Sequence, residues 1–239
     1  SYDATGTTFV GPYGNESSSD LSTAIAIPSS QFDVHASGIT GNASRTFIVT
    51  LKTTFAGPAG GPAGPDRIQT ILGYGGWGNN TGFSIKLSNI ASHGGSKEEG
   101  KFVVFVSAFG NDAYINNPPS ALIIDRNVET TIAVSYDNST GNVYIFVKDP
   151  TKPNLYNMPY DTWQMGTTTF TNSANYGNVL ATSNAEGLMI GAYPRNWTDP
   201  DGFVVTKYNS FNGEIGEVKV FNYSINSITD LEQTLVTNS

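Results

Sequence analysis

The chain has 239 residues, with 20 acidic and 12 basic side chains, a net charge of −8 and no cysteine. The acidic balance excludes a basic nucleic-acid face and electrostatic docking on anionic lipid. The missing thiols exclude disulfides, Cys-ligated zinc, Fe–S clusters and thiol nucleophiles.

Only 13% of residues are charged, against 26 Gly and 12 Pro, a composition of strands and turns rather than of a helical bundle. No run approaches the ~18 apolar residues of a membrane-spanning helix. In chain order, β-type runs are predicted at 22–27, 46–54, 68–74, 82–87, 101–108, 121–125, 129–136, 142–148, 187–192 and 212–221. In 46–54, Phe47, Val49 and Leu51 alternate with Thr46, Thr50 and Lys52, the pattern of a half-buried strand. Residues 102–106 and 143–147 are apolar on both faces, so both faces need cover. The loop Asp137-Asn138-Ser139-Thr140-Gly141 between two β-branched runs predicts a hairpin. Ile215 and Val218 are three apart, so both point inward only if Gly216 sits in a bulge. A short closing helix is predicted over 227–235, with Ser227 and Asp230 as a capping pair and Ile228, Leu231 and Leu235 along one stripe. Two stretches, 56–66 and 149–184, lack periodicity and are expected to be irregular. No compositional break marks a linker, so residues 1–239 are expected to form a single domain. The six Asn-x-Ser/Thr sequons are close to the number chance would place here and carry no weight.

This order of elements resembles a known family. Residues 130–147 are similar to the central hairpin of laminin-G-like, concanavalin A-like jelly rolls. Gly187-Leu188-Met189-Ile190-Gly191-Ala192 and Phe211-Asn212-Gly213-Glu214-Ile215-Gly216-Glu217-Val218 resemble its later strands, and 224–235 stands where its closing helix lies. Two turns depart from the pattern, Val128-Glu129-Thr130 before the hairpin and Lys148-Asp149-Pro150 after it. The resemblance implies an all-β, two-sheet antiparallel sandwich with a short C-terminal helix. It also implies glycan-binding, adhesive or receptor-binding modules, with glycoside hydrolases and lyases in the wider superfamily.

Catalytic chemistry finds little support. Glu214 and Glu217 lack the central Asp and the phase of a glucanase strand, and fit the bulged closing strand better. The two histidines, His35 and His93, accompany no nucleophile elbow and make no metal triad. The glycines of 57–64 are broken by Pro58 and Pro62, which removes the backbone N–H groups a phosphate cradle needs. No catalytic residue is assigned.

Sugar recognition needs an aromatic plate with planar amides or carboxylates, and two expected loops offer that set. One is 74–82, with Tyr74, Trp77, Asn79 and Asn80 among four glycines. The other is 193–202, with Tyr193, Arg195, Asn196, Trp197, Asp199 and Asp201. The competing reading is that Trp77 and Trp197 merely cap the core. No cofactor is required; a structural or ligand-bridging Ca²⁺ at Asp199, Asp201 and Asn196, or at Asn111 and Asp112, is the one candidate. The expected function is a non-enzymatic carbohydrate-binding, adhesion or receptor-binding module at an extracellular, cell or virion surface. Its partner would be a glycan or glycosylated receptor, with no nucleic acid and no membrane insertion. The alternatives are an oligomerising unit of a capsid, fibre or adhesin, burying its two-faced strands against copies of itself, and a glycoside hydrolase or polysaccharide lyase.

Overall fold

The computed structural model describes residues 2–3, 7–9, 24–55, 68–75, 82–89, 99–108, 111–152, 162–170, 187–198, 203–208 and 210–238, the side chains of 2–3, 194–198 and 203–208 excepted. Two antiparallel sheets stack face to face. The first runs β1 (Tyr2–Asp3), β16 (Gly213–Phe221), β4 (Arg45–Thr53), β10 (Thr130–Asp137), β11 (Asn142–Lys148) and β12 (Gln164–Thr169), with β2 (Thr8–Phe9) also on β16. The second runs β3 (Ile25–Ile27), β13 (Leu188–Ile190), β5 (Ile68–Tyr74), β6 (Phe83–Asn89), β7 (Lys101–Ala108) and β8 (Asn111–Tyr114), with β9 (Ile124–Asp125) also on β7. A separate ribbon pairs β14 (Tyr193–Thr198) with β15 (Phe203–Tyr208). The closing helix is α1 (Ile228–Thr237).

Alternation decides which side chains enter the core. Phe47, Val49 and Leu51 of β4 and Ile132 and Val134 of β10 face Phe83, Ile85 and Leu87 of β6 and Val104 and Val106 of β7 in one cluster. The bulge forms where Gly216 allows it: Ile215 lies opposite Leu51 and Val218 opposite Val49, so two residues oppose Thr50 alone. Both Ile215 and Val218 are buried as a result. The hairpin turn closes through Asp137, whose Oδ1 accepts from Ser139 N at 2.9 Å and Ser139 Oγ at 2.7 Å. Burial pushes the Asp137 carboxyl up, but these bonds and those from Thr140 outweigh it and hold its pKa below the usual carboxylate value.

The two-faced strands are covered from within the chain. Helix α1 lays Leu231 on Ile48, Ala133 and Phe146, the outer face of the first sheet. Ser227 Oγ accepts from Asp230 N at 3.1 Å and donates to the Asp230 carboxylate at 2.5 Å, the predicted cap. On β7, Val103 packs against Ile123, and Phe105 stacks on Tyr114 with ring centroids 5.8 Å apart.

Several expectations need correction. Residues 121–125 are a single 3-10 turn, Ser120–Leu122, followed by the two-residue β9. β12 emerges from a stretch expected to be irregular. It has few apolar residues because Gly166 leaves its inward position to Ile115 and Leu122; a Cβ there would stand 2.1 Å and 2.7 Å from their methyl groups. The expected loop 193–202 is largely strand, because 193–198 pairs with 203–208 through a register shift at Asn196. Residues 56–66, with the glycines rejected above as a phosphate cradle, and His93 lie outside the described residues. His35 sits in a turn, half-buried, and its backbone N–H donates to Asp33 Oδ1 at 2.9 Å.

Candidate functional site on the outer face of the second sheet

On β6, Phe83, Ile85 and Leu87 point into the core, so Ser84, Lys86 and Ser88 point out. Register places Phe105 and Ser107 of β7 and Asp112 and Tyr114 of β8 on the same outer face, beside Lys86. That face is far from bare. Ser84, Lys86 and Ser88 are all buried, Lys86 at 7% exposure. The Lys86 ammonium donates to Ser107 Oγ at 3.0 Å, and Ser107 Oγ donates to Asp112 Oδ1 at 2.7 Å. Two rings flank the same ammonium, Tyr193 at 5.3 Å and Phe105 at 5.7 Å from the ring centroids. Burial lowers the lysine pKa to about 8, against the opposing pull of the Asp112 carboxylate. The hydroxyls of Thr70 and Ser84 are buried on this face with no hydrogen-bond partner.

Tyr193 joins this face to the ribbon. Its ring occupies the space above Gly73: a Cβ on Gly73 would come within 2.7 Å of Tyr193 Cδ2 and 3.2 Å of Ser84 Cβ. Glycine is needed here for close approach rather than for its dihedral freedom. The consequence is that the start of β14 lies on the last residues of β5, from which the 74–82 segment departs. The two sequence-predicted segments are therefore rooted side by side, beside Lys86, Ser107 and Asp112.

Tyr74 is placed differently from the expectation. It is fully buried and faces the core, its ring stacked on Phe83 at 5.2 Å, and its hydroxyl donates to Ile39 O at 2.8 Å. Its side chain belongs to the core and is not presented at the surface. Burial raises its pKa, although Arg45 beside it acts in the opposite direction. Arg45, also fully buried, donates to Ala43 O at 2.8 Å, Ile39 O at 2.6 Å and Tyr74 Oη at 2.8 Å, as well as to Gly41 O. Its guanidinium lies over the rings of Phe83 and Tyr136, so the charge is met by carbonyls and π faces.

Trp77, Asn79, Asn80, Asp199 and Asp201 lie outside the described residues. Arg195, Asn196 and Trp197 stand on β14, where only the backbone is described. Of the calcium candidates, Asp112 is engaged by Ser107 and faces a lysine, a poor setting for a cation. Among the described residues no group of three or more His, Cys, Asp or Glu side chains could hold a metal. Glu214 and Glu217 are exposed on β16 beside a shallow groove of about 270 Å³, paired with Lys52 at 3.8 Å and Lys219 at 3.4 Å.

Lys86, Phe105, Ser107 and Tyr114 were not singled out from the sequence. The signal was present in the alternation of 83–88, where the polar member of a well-buried strand is a lysine, and in the second apolar face of 102–106.

No family model matches the chain, and no curated protein matches it in sequence. Solved structures do match its fold. A stretch of the NanB sialidase from Streptococcus pneumoniae aligns over 94% of this chain at 15% identity and a TM-score of 0.50; the match spans 27% of that chain. The CBM40 of the Ruminococcus gnavus IT-sialidase, solved with α2,3-sialyllactose, aligns over 99% of both chains at 14% identity and a TM-score of 0.49. Peanut lectin, solved with a nine-residue peptide, aligns over 86% of this chain and 79% of its own at 10% identity and a TM-score of 0.33. The chain is a two-sheet antiparallel β-sandwich, and the likeness is one of fold.

Proposed function

We propose that this chain is a non-enzymatic carbohydrate-binding module of the laminin-G-like, concanavalin A-like kind. It holds a glycan on the outer face of its second sheet. Trp77, Asn79 and Asn80 would reach the ligand from the 74–82 segment, and Arg195, Asn196, Trp197, Asp199 and Asp201 from the ribbon and its turn. The observation that carries this reading is the seat of Tyr193 on Gly73, which roots both segments beside the polar row of Lys86, Ser107 and Asp112. Aromatic plates, amides, hydroxyls and one opposed charge pair match the mixed apolar and hydroxylated surface of a sugar. The partner would be a glycan or a glycosylated receptor at an extracellular, cell or virion surface. Single-site affinity is expected to be weak, so useful binding needs multivalent display. The oligomerising alternative rested on apolar faces that needed neighbouring copies; α1, Ile123 and Tyr114 cover them within one chain.

A glycan array probed at high density with the tagged chain tests the reading. Binding to a defined set of glycans, reduced at least tenfold by Trp77→Ala and by Trp197→Ala, is expected. No binding to any glycan at the highest display density would remove the reading.

A further inference from the structure

A second polar and aromatic cleft lies on the opposite side of the sandwich, between α1 and the end of β16. It holds about 270 Å³ and is lined by Tyr223, Asp230, Gln233, Thr234, Thr237 and Asn238. Tyr223 is 43% exposed, one of only two large hydrophobic side chains left exposed among the described residues. One side of its ring meets Phe221, with centroids 5.4 Å apart at 52°, which fixes the plate.

The cleft keeps unspent hydrogen-bonding capacity. The Asp230 carboxylate uses Oδ2 on Ser227, leaving Oδ1 without a partner among the described residues. Asn238 gives its amide N–H to Thr234 O and Thr237 gives its hydroxyl to Gln233 O, so these two hold the floor. The Gln233 amide, the Thr234 hydroxyl and the Tyr223 hydroxyl have no side-chain partner among the described residues. No cation lines the cleft among the described residues. The nearby Lys219 is engaged by Glu217 at 3.4 Å and Asn238 O at 3.4 Å.

We infer that this cleft is a second, separate binding site for a single uncharged pyranose, stacked on Tyr223 and hydrogen-bonded by Asp230 and Gln233. A fixed ring offers the apolar face of the sugar a partner, and a carboxylate beside a planar amide suits adjacent hydroxyls. The volume lies just below the usual range of ~300–1,000 Å³ for small-molecule sites, which limits the occupant to one ring. The lone carboxylate disfavours acidic sugars. Because α1 covers the first sheet and the face carrying Tyr193 belongs to the second, the two sites lie back to back, and one chain could bridge two glycans. The inference is independent of the Trp77 and Trp197 reading.

The test uses the full chain carrying Trp77→Ala and Trp197→Ala, titrated with glucose, galactose, mannose and N-acetylglucosamine while amide resonances are followed by NMR. The expected result is saturable shifts at Tyr223, Gln233 and Thr234 with at least one sugar, in the millimolar range usual for weak sites. Tyr223→Ala should weaken that binding at least tenfold and Gln233→Ala severalfold; both positions are exposed, and unchanged thermal unfolding would show that the fold is intact. Absence of shifts at these residues with all four sugars overturns the inference, as does binding that survives Tyr223→Ala. Failure of the first site appears separately, as loss of array binding with the cleft shifts retained.

Discussion

Replacing Lys86 by methionine tests the reading of the polar face in the most quantitative way. Burial moves the lysine from its ordinary value of 10.5 to about 8. A shift of this size, at 1.36 kcal/mol per pH unit, means that the ammonium costs the folded state about 3 kcal/mol. The unfolded chain keeps its proton up to the ordinary value, whereas the folded chain releases it near pH 8. Between pH 8 and 10.5 the unfolded state binds more protons, so stability rises with pH across that window and is at its lowest level below it. Methionine has similar length and no charge. At neutral pH the variant gains the ~3 kcal/mol and loses the Ser107 hydrogen bond and the attraction of two rings, together about 1–2 kcal/mol. A net stabilisation of about 1–2 kcal/mol, roughly 3–6 °C in Tm for a chain of this size, is expected at pH 7. Denaturant unfolding at half-unit steps from pH 6 to 10.5 measures it. Subtracting variant from wild type cancels the other lysines and tyrosines, which are common to both. The difference should be constant below pH 8 and shift in favour of wild type above it. A difference that stays flat through pH 10.5, or moves the other way, would refute the account of Lys86 as a costly buried ammonium. If the charge is retained for ligand binding, the stabilised variant should also bind the glycans found on the array more weakly.

Other substitutions address the frame. Gly73→Ala drives a methyl into the Tyr193 ring, so glycan binding should fall at least tenfold while stability drops by only about 1–3 kcal/mol, measured by array titration and thermal unfolding. Arg45→Met takes the guanidinium donor from the carbonyls of Gly41 and Ala43 and one of two donors from Ile39 O, which keeps Tyr74, and should cost at least about 3 kcal/mol, or roughly 6–12 °C in Tm by calorimetry. Ser227→Ala removes the cap on α1 and should cost about 1 kcal/mol in denaturant unfolding, with glycan binding at the outer face of the second sheet unchanged.

Local chemistry was legible wherever a few neighbouring residues settle the outcome. Residues 68–74, 101–108 and 142–148 form strands over the bounds their composition predicts. The bulge at Gly216 follows from the spacing of Ile215 and Val218, and the cap from Ser227 and Asp230. The ribbon was not legible: Pro194, Asn196 and the Asp199-Pro200-Asp201-Gly202 run carry turn chemistry, and only pairing with 203–208 makes 193–198 a strand. β12 was hidden for a related reason, since its inward Gly166 contributes space rather than an apolar side chain.

The candidate face was half legible. The residue types suited to sugars were visible in 74–82 and 193–202, but Tyr74 turned inward because strand alternation carries its ring to Phe83 and its hydroxyl to Ile39. By itself the sequence determined the strand periodicity, the turn and cap chemistry, the absence of thiols and the net acidic charge, all properties of short windows or of totals. Tertiary structure alone decided that Tyr193 rests on Gly73, that Lys86 is buried between two rings, and that Tyr223 stands open beside α1. Burial, charge environment and close approach are set by residues distant along the chain, and pairing across sheets brings them together.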